Sequence, residues 1–303
     1  MTAPTPSQFE FLQSIDTPTV CNLVEIVAPE RRGSGYTVKH LHCPFPELPP
    51  IVGFAKTVTF KAKDKVPLGE SGYMQKRLDY LDYVAGEPQP AIMVMHDLDG
   101  EHAGFGAFWG EVQSNVHKAL GALGVVTDGS IRDIAMIAPG FQMLAAMIVP
   151  SHAYVHVVDY DIDVEVAGMA TKSGDLIHAD RHGAVVVPTD KVDAMKAAND
   201  KLAATEAKII AAAKSGGGVE AIKAALRGSG RRQGETMKSD DVSRLWLEAG
   251  KILAVHPDTR VKCPQCGAAD LVVTDAAIGG ALERWMQCPS CHASNTLLNP
   301  IGR

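Results

Sequence analysis

The sequence lacks any apolar run near the roughly 20 residues that a membrane-spanning helix needs; even "APGFQMLAAMIVP" is short and closed by prolines at both ends. Its start, "MTAPTPSQFEF", has neither the basic residues nor the apolar stretch of a secretory signal, so a cytoplasmic protein is expected. Positive charge is not in excess either. Lys and Arg number 29 against 35 Asp and Glu, a net charge of -6, which gives no general affinity for nucleic acid. Cysteine is scarce outside one region: of six, Cys21 and Cys43 stand apart and are expected to pack as small hydrophobes. The other four form two short clusters near the C-terminus, which in a reducing compartment point to metal binding before disulfides.

What is present is an ordinary globular composition, 46% hydrophobic and 21% charged, in 303 residues. At about 150 residues per domain this suggests two modules. "TPTVCNLVEIV" spaces Val20, Leu23, Val24 and Val27 as an amphipathic helix, with a threonine to cap it. The prolines of "HCPFPELPPIVG" impose an extended or looped passage. "FAKTVTFKA" then alternates like a strand. A charged, irregular stretch follows, and "PAIMVMHDLDG" reads as a buried strand ending in an Asp-rich turn.

In "WGEVQSNVHKALGALGVVTDGSIRD", Val112, Val116, Ala119 and Leu123 are placed on one helical face, followed by a short turn, an apolar strand and an acidic turn. The stretch from Val157 to Val166 alternates with acids at 159, 161, 163 and 165, as one half-exposed strand would. "GDLIHADRHGAVVVP" gives a turn and a buried strand, and a helix begins at the capping pair Thr189 and Asp190. Glycines and clustered basic residues after residue 213 mark a helical arm. The expected division is therefore 1–213 as the main domain, 214–255 as arm and linker, and 256–303 as a cysteine module.

That module carries "CPQCG" from Cys263 and "CPSCH" from Cys288, a C-x2-C pair, 21 residues, and a second C-x2-C pair. Cys263, Cys266, Cys288 and Cys291 offer four thiolates for a tetrahedral structural Zn2+, with "ADLVVT" and "LERWMQ" supplying the hairpins between them. A closed thiolate shell does not catalyse, and a module this short draws its folding free energy largely from the metal. Arg260, Lys262, Arg284 and Arg303 are offset by Asp270, Asp275 and Glu283, so nucleic acid is not the expected partner of this module.

The candidate chemistry sits at "GVVTDGSIRD". Arg132 offers a planar fork to a carboxylate, and Asp133 a hard oxygen to Mg2+ or Mn2+. The amides after Gly110 lie at a predicted helix start, where unpaired N–H groups favour an anion, with Glu111 at the same point. The plain alternative is an ordinary turn at Asp128 and Gly129 with a solvated Arg132–Asp133 pair. In "HADRH", His178 and His182 have a ligand-like spacing but fall in a turn, where exposed loop histidines are the simpler account. His96, His102 and His117 receive no role. Asp97 and Asp99 read as an Asp-rich turn.

These motifs, "TPTVCNLVE" upstream and "GDLIHADRHGAVVVP" downstream included, resemble the RraA-like superfamily, which contains the 4-hydroxy-4-methyl-2-oxoglutarate aldolases, over roughly residues 10 to 213. The most specific element is Gly110–Glu111 followed at the family's spacing by D-G-x-x-R-D. The resemblance implies an α/β swivelling β/β/α sandwich, assembled as a homotrimer or homohexamer with sites at subunit interfaces. It implies a lyase that cleaves a 2-oxo acid through a pyruvate enolate, with oxaloacetate decarboxylation open to the same chemistry. Asp133 would hold the divalent cation, Arg132 the pyruvoyl carboxylate, and the amides of Val112 and Gln113 beside Gly110 the same end of the substrate. Glu111 would order a water for proton transfer. Two departures stand out: Met136 replaces a frequent carboxylate, and Val112 and Gln113 replace leucines. A noncatalytic regulator that binds a macromolecule, or an enzyme acting on a different oxo acid, are the competing readings.

Overall fold

The computed structural model describes residues 4–66, 70–228, 239–267, 269–278, 281–291 and 293–298. It divides into two compact units, Met1–Ala207 and Lys208–Arg303.

The first unit begins with α1 (Pro6–Gln13) and α2 (Thr17–Val27), followed by β1 (Ile51–Lys61), α3 (Glu70–Ala85), β2 (Ala91–Asp97), β3 (Ala107–Trp109), α4 (Glu111–Ala119) and β4 (Ala122–Ile131). It continues through β5 (Gln142–Ile148), β6 (His156–Tyr160), β7 (Val164–Val166), β8 (Met169–Thr171), β9 (Leu176–Asp180) and β10 (Gly183–Val187) to α5 (Val192–Lys214). Eight strands form one mixed sheet in the order β10-β9-β1-β2-β4-β3, with β5 also on β4 and β6 also on β1. β1, β2 and β4 run parallel at its centre, covered on both faces. On one side Met93, Met95 and Val125 pack with Trp109 and Phe141; on the other Ile92, Val94 and Val126 pack with Val164, Val166 and Met169. A strand buried on both faces reads as a nearly continuous apolar run, which is why "AIMVM" is so legible.

β1 is a strand, as its alternation predicts, and both of its faces are buried. Lys56 is buried there, with its Nζ donating to Gly86 O at 2.7 Å and lying 4.9 Å from the Tyr83 ring centre. Burial pulls its pKa down. The stretch expected to be irregular is helix α3, which buries Tyr80 and Val84. The strand expected over 157–166 is two strands, β6 and β7, because Asp161 takes a left-handed φ of 60° and its N–H turns back to Thr57 O. On α2 the cap is Asp16, whose carboxylate accepts from Thr19 N, while Thr17 is buried in the first turn. Burial pushes the Cys21 thiol up to about 11, consistent with a packing role.

The second unit contains α6 (Gly218–Gly228), α7 (Ser239–Val255) and an antiparallel sheet of β11 (Val272–Ile278), β12 (Ala281–Gln287) and β13 (Ser294–Leu298). No described helix is long and apolar enough to cross a membrane.

Candidate active site

β3 and β4 are parallel neighbours whose pairing slips by one residue between Ala107 and Trp109, which sets Trp109 opposite Ile131, so both strands leave the sheet side by side at the same end. That register brings Gly110–Glu111 beside Arg132–Asp133. Arg132 N donates to Trp109 O at 2.9 Å, tying the two exits together. Asp133 then adopts φ 54°, ψ 38°, a left-handed conformation that Asp tolerates better than most residues, and this turns the chain into a short 3-10 turn, Ile134–Met136. Its carboxylate lies over the start of α4. Oδ2 is 3.5 Å from Glu111 N and 3.5 Å from Arg132 Nε.

Gly110 makes this approach possible. Its backbone is extended, so the glycine is not needed for φ, but a Cβ there would stand 2.6 Å from Asp133 Oδ2 and 3.2 Å from Arg132 Cγ. No side chain caps the helix. The first amide to bond back is Ser114 N, to Gly110 O at 3.0 Å, which leaves the N–H groups of Val112 and Gln113 without helical partners at the positive end of the helix.

The first turn is fastened from below. Ser114 Oγ donates to Glu111 O and accepts from Ala138 N, and Asn115 Nδ2 donates to Glu111 O. His117 Nδ1 is 2.7 Å from Gln113 O, a pure acceptor, so that nitrogen carries the proton and Nε2 accepts the Tyr80 hydroxyl at 2.6 Å. Burial holds the His117 pKa down to about 4, so the ring is neutral.

Above the helix start lies a cavity of about 310 Å³, with Tyr73, Arg77 and Tyr80 of α3 on one side and Glu111, Arg132 and Asp133 on the other. Val112 and Gln113 also line it, together with the apolar Phe108, Val155 and Val157. The sequence reading missed the α3 wall; the recurrence of residues 73, 77, 80, 81 and 84 at helical spacing was the available signal. Within the cavity, Arg77 and Arg132 balance Glu111 and Asp133 in formal charge.

Other sequence candidates lie elsewhere. Asp128 does not join its charged neighbours: its two oxygens meet His96 Nδ1 at 2.6 Å and Asp97 N at 2.8 Å. Its hydrogen bond raises the His96 pKa, and burial raises that of Asp97. Asp97 accepts from Gly104 N, and Asp99 accepts from Ala62 N and Lys63 N, so both hold loops. The expected apolar face of α4 is corrected as well. Val112 is 64% exposed, whereas Ser114 and His117 are buried through their hydrogen bonds. His178 is not an exposed loop residue but a fully buried one in β9, bonded to Thr17 Oγ1 and to the carbonyls of Leu12 and Ile15. His182 does lie in the turn, against Asp180. Met136 is exposed and brings no oxygen to the site.

In the second unit, the ligand atoms of Cys263, Cys266, Cys288 and Cys291 all lie within 4.8 Å of one another and could hold a metal ion such as zinc.

The sequence profile of the RraA-like family, described as Aldolase/RraA, matches residues 17–186. The chain belongs to this family. Solved structures agree in fold. An uncharacterized protein from Pseudomonas syringae pv. tomato str. DC3000 aligns at 20% identity with a TM-score of 0.57, covering 75% of this chain and 96% of that one. RraAS2 of Streptomyces coelicolor, described as an unusual member of the RNase ES inhibitor RraA protein family, aligns at 23% identity with a TM-score of 0.51, covering 69% and 95%. Among curated proteins no significant match was found. The RraA-like match ends before α5, so the second unit lies outside it.

Proposed function

We propose that the RraA-like unit is a class II, divalent-metal-dependent carbon–carbon lyase acting on a 2-oxo acid through a pyruvate enolate. It would be of the 4-hydroxy-4-methyl-2-oxoglutarate aldolase type, with oxaloacetate decarboxylation as a second activity. The observation that carries this reading is the meeting of a carboxylate, a guanidinium and two free helix-terminal amides around the bare Cα of Gly110.

The residues fit a small hard cation. Asp133 presents one carboxylate, the space beside it is kept open by the missing Cβ at Gly110, and Mg2+ or Mn2+ typically retains several waters. Such a site works without an oxygen from Met136. When bound, the cation supplies Lewis acidity for a keto oxygen. Arg132 is the group to fork the substrate carboxylate, aided by the N–H groups of Val112 and Gln113 and the positive end of α4. Glu111 lies exposed at the cavity edge and makes no ion pair with described residues, so through a water it can take a proton from a 4-hydroxyl and return one to C3. The cavity's balanced side-chain charge becomes positive once a divalent cation binds, which favours an anionic substrate.

A homotrimer or homohexamer, in which a neighbouring subunit completes the site, is part of this reading. The exposed apolar side chains of Val112, Met136 and Ile148 support it. The test is pyruvate release from 4-hydroxy-4-methyl-2-oxoglutarate and from oxaloacetate, with chelator and with Mg2+ or Mn2+ restored. Undiminished turnover without divalent cation rejects the scheme. No turnover, together with a stable macromolecular partner in pull-downs, replaces it with a noncatalytic regulator.

A further inference from the structure

We propose that the second unit is a zinc module whose core includes helix α7, so that one Zn2+ on Cys263, Cys266, Cys288 and Cys291 folds α7 together with β11, β12 and β13. This stands apart from the lyase reading, because it uses only residues beyond the family match.

The metal assignment rests on geometry. A tetrahedral ion with Zn–S bonds of about 2.3 Å places its sulfurs about 3.8 Å apart. Cys263 and Cys291 have their Sγ atoms 3.6 Å apart, and Cys266 and Cys288 3.7 Å. These pairs cross between the two C-x2-C turns, as they must if one ion is shared. The turns also repeat each other's wiring. Cys263 N donates to Ala269 O and Cys288 N to Ala293 O, each at 2.9 Å. Gln265 N points at Cys263 Sγ at 3.3 Å and Ser290 N at Cys288 Sγ at 3.4 Å. Amides aimed at sulfur stabilise thiolates, the form that binds metal. In both turns the first cysteine is buried and the second exposed. Exposure of Cys266 and Cys291 favours zinc, which has no redox chemistry, over an oxidisable iron centre.

The reach of the module comes from its packing. Trp246, Ala249 and Leu253 of α7 share one apolar cluster with Cys263, Leu271, Met286 and Cys288, so two of the four ligands are themselves core residues against the helix. At Gly250 the helix comes close to β13: a Cβ there would lie 3.0 Å from Leu297 Cδ2, a tight contact. Arg284, 2% exposed on β12, closes the joint. Its Nε and Nη2 form a fork with the two oxygens of Asp275, and its Nη1 donates to Leu253 O and Ala254 O, carbonyls of the last helical turn that have no partner further along the helix. A guanidinium buried this way requires both the hairpin and the helix end to be in place.

The experiment uses the full chain purified without chelator: metal content by mass spectrometry, absorption spectra, and hydrogen exchange before and after zinc removal. The expected result is one zinc per chain, no visible absorption, and an increase of at least about tenfold in amide exchange across 246–255 on removal, with β2 and β4 unchanged. Arg284→Lys should keep the zinc yet speed exchange in the last turn of α7. Coloured iron in the site, a disulfide among these cysteines, or zinc loss that leaves α7 exchange unaltered would each overturn the proposal.

Discussion

Replacing Gly110 with alanine is the sharpest test of the site, because it adds one carbon and asks nothing new of the backbone. The residue is extended at φ -167°, which alanine adopts freely. The new Cβ would sit 2.6 Å from Asp133 Oδ2, so the carboxylate must retreat by roughly 0.8 Å to reach ordinary contact. Misplacement on the order of 1 Å in a catalytic constellation costs about a hundredfold, so kcat/KM for pyruvate release should fall between about tenfold and a hundredfold. Mn2+ affinity, measured by calorimetry or electron paramagnetic resonance, should weaken alongside it. Stability should not follow: losing glycine at an uncapped helix start costs at most about 1 kcal/mol, or about 2–4 °C in Tm. A Gly110→Ala protein with native turnover and native Mn2+ affinity would refute the reasoning, since Asp133 would then not be the group that matters.

Asp133→Asn should abolish Mn2+ binding and pyruvate release while leaving Tm within about 2 °C, because its carboxylate makes only contacts of 3.5 Å. Arg132→Lys should keep Mn2+ affinity but lower kcat/KM by about a hundredfold, through loss of the fork that matches a carboxylate; equal loss of both would show that the guanidinium serves the acid rather than the substrate. His117 gives a pH signature. Its pKa is about 4 when folded and about 6.5 when unfolded, so below about pH 6.5 the unfolded chain takes a proton that the folded chain refuses. Stability should therefore fall by about 3 kcal/mol between pH 6.5 and 4, with no further loss from this group below that. Denaturant titrations of His117→Gln should show a flatter profile across that window; an unchanged slope would exclude the histidine as the source. Tyr80→Phe should destabilise by about 1–3 kcal/mol, since it strands Nε2 of His117 without a donor.

The parts legible in the sequence were those whose cause is local. β2 and the apolar half of β4 announce themselves as runs because both faces are buried, and the two C-x2-C turns because chelation is a property of neighbouring residues. The meeting of Gly110–Glu111 with Arg132–Asp133 was legible in outline, since a helix start and a strand end were both visible. Its precision came from strand register and from the left-handed turn at Asp133, which no pattern of residue types discloses. Helix α3 was hidden by its many charges, with Tyr80 and Val84 alone buried among its described side chains. α4 was misjudged for the opposite reason: its buried face is polar, with Ser114 and His117 satisfied by hydrogen bonds to partners far off in sequence. The place of α7 beside the cysteines was invisible because Arg284 reaches it across about 30 residues of chain.

β4 carries two assignments on one ribbon. Val126 and Asp128 point to one face, where Asp128 holds the end of β2, while Val125 and Ile131 point to the other, toward the cavity side of the sheet. A change of residue at any of these places disturbs a single job, but a gain or loss of one residue between 128 and 132 shifts Ile131, Arg132 and Asp133 together relative to Val125, Val126 and Asp128, which stay in place. Variants at this strand end should therefore tolerate altered spelling far better than altered length.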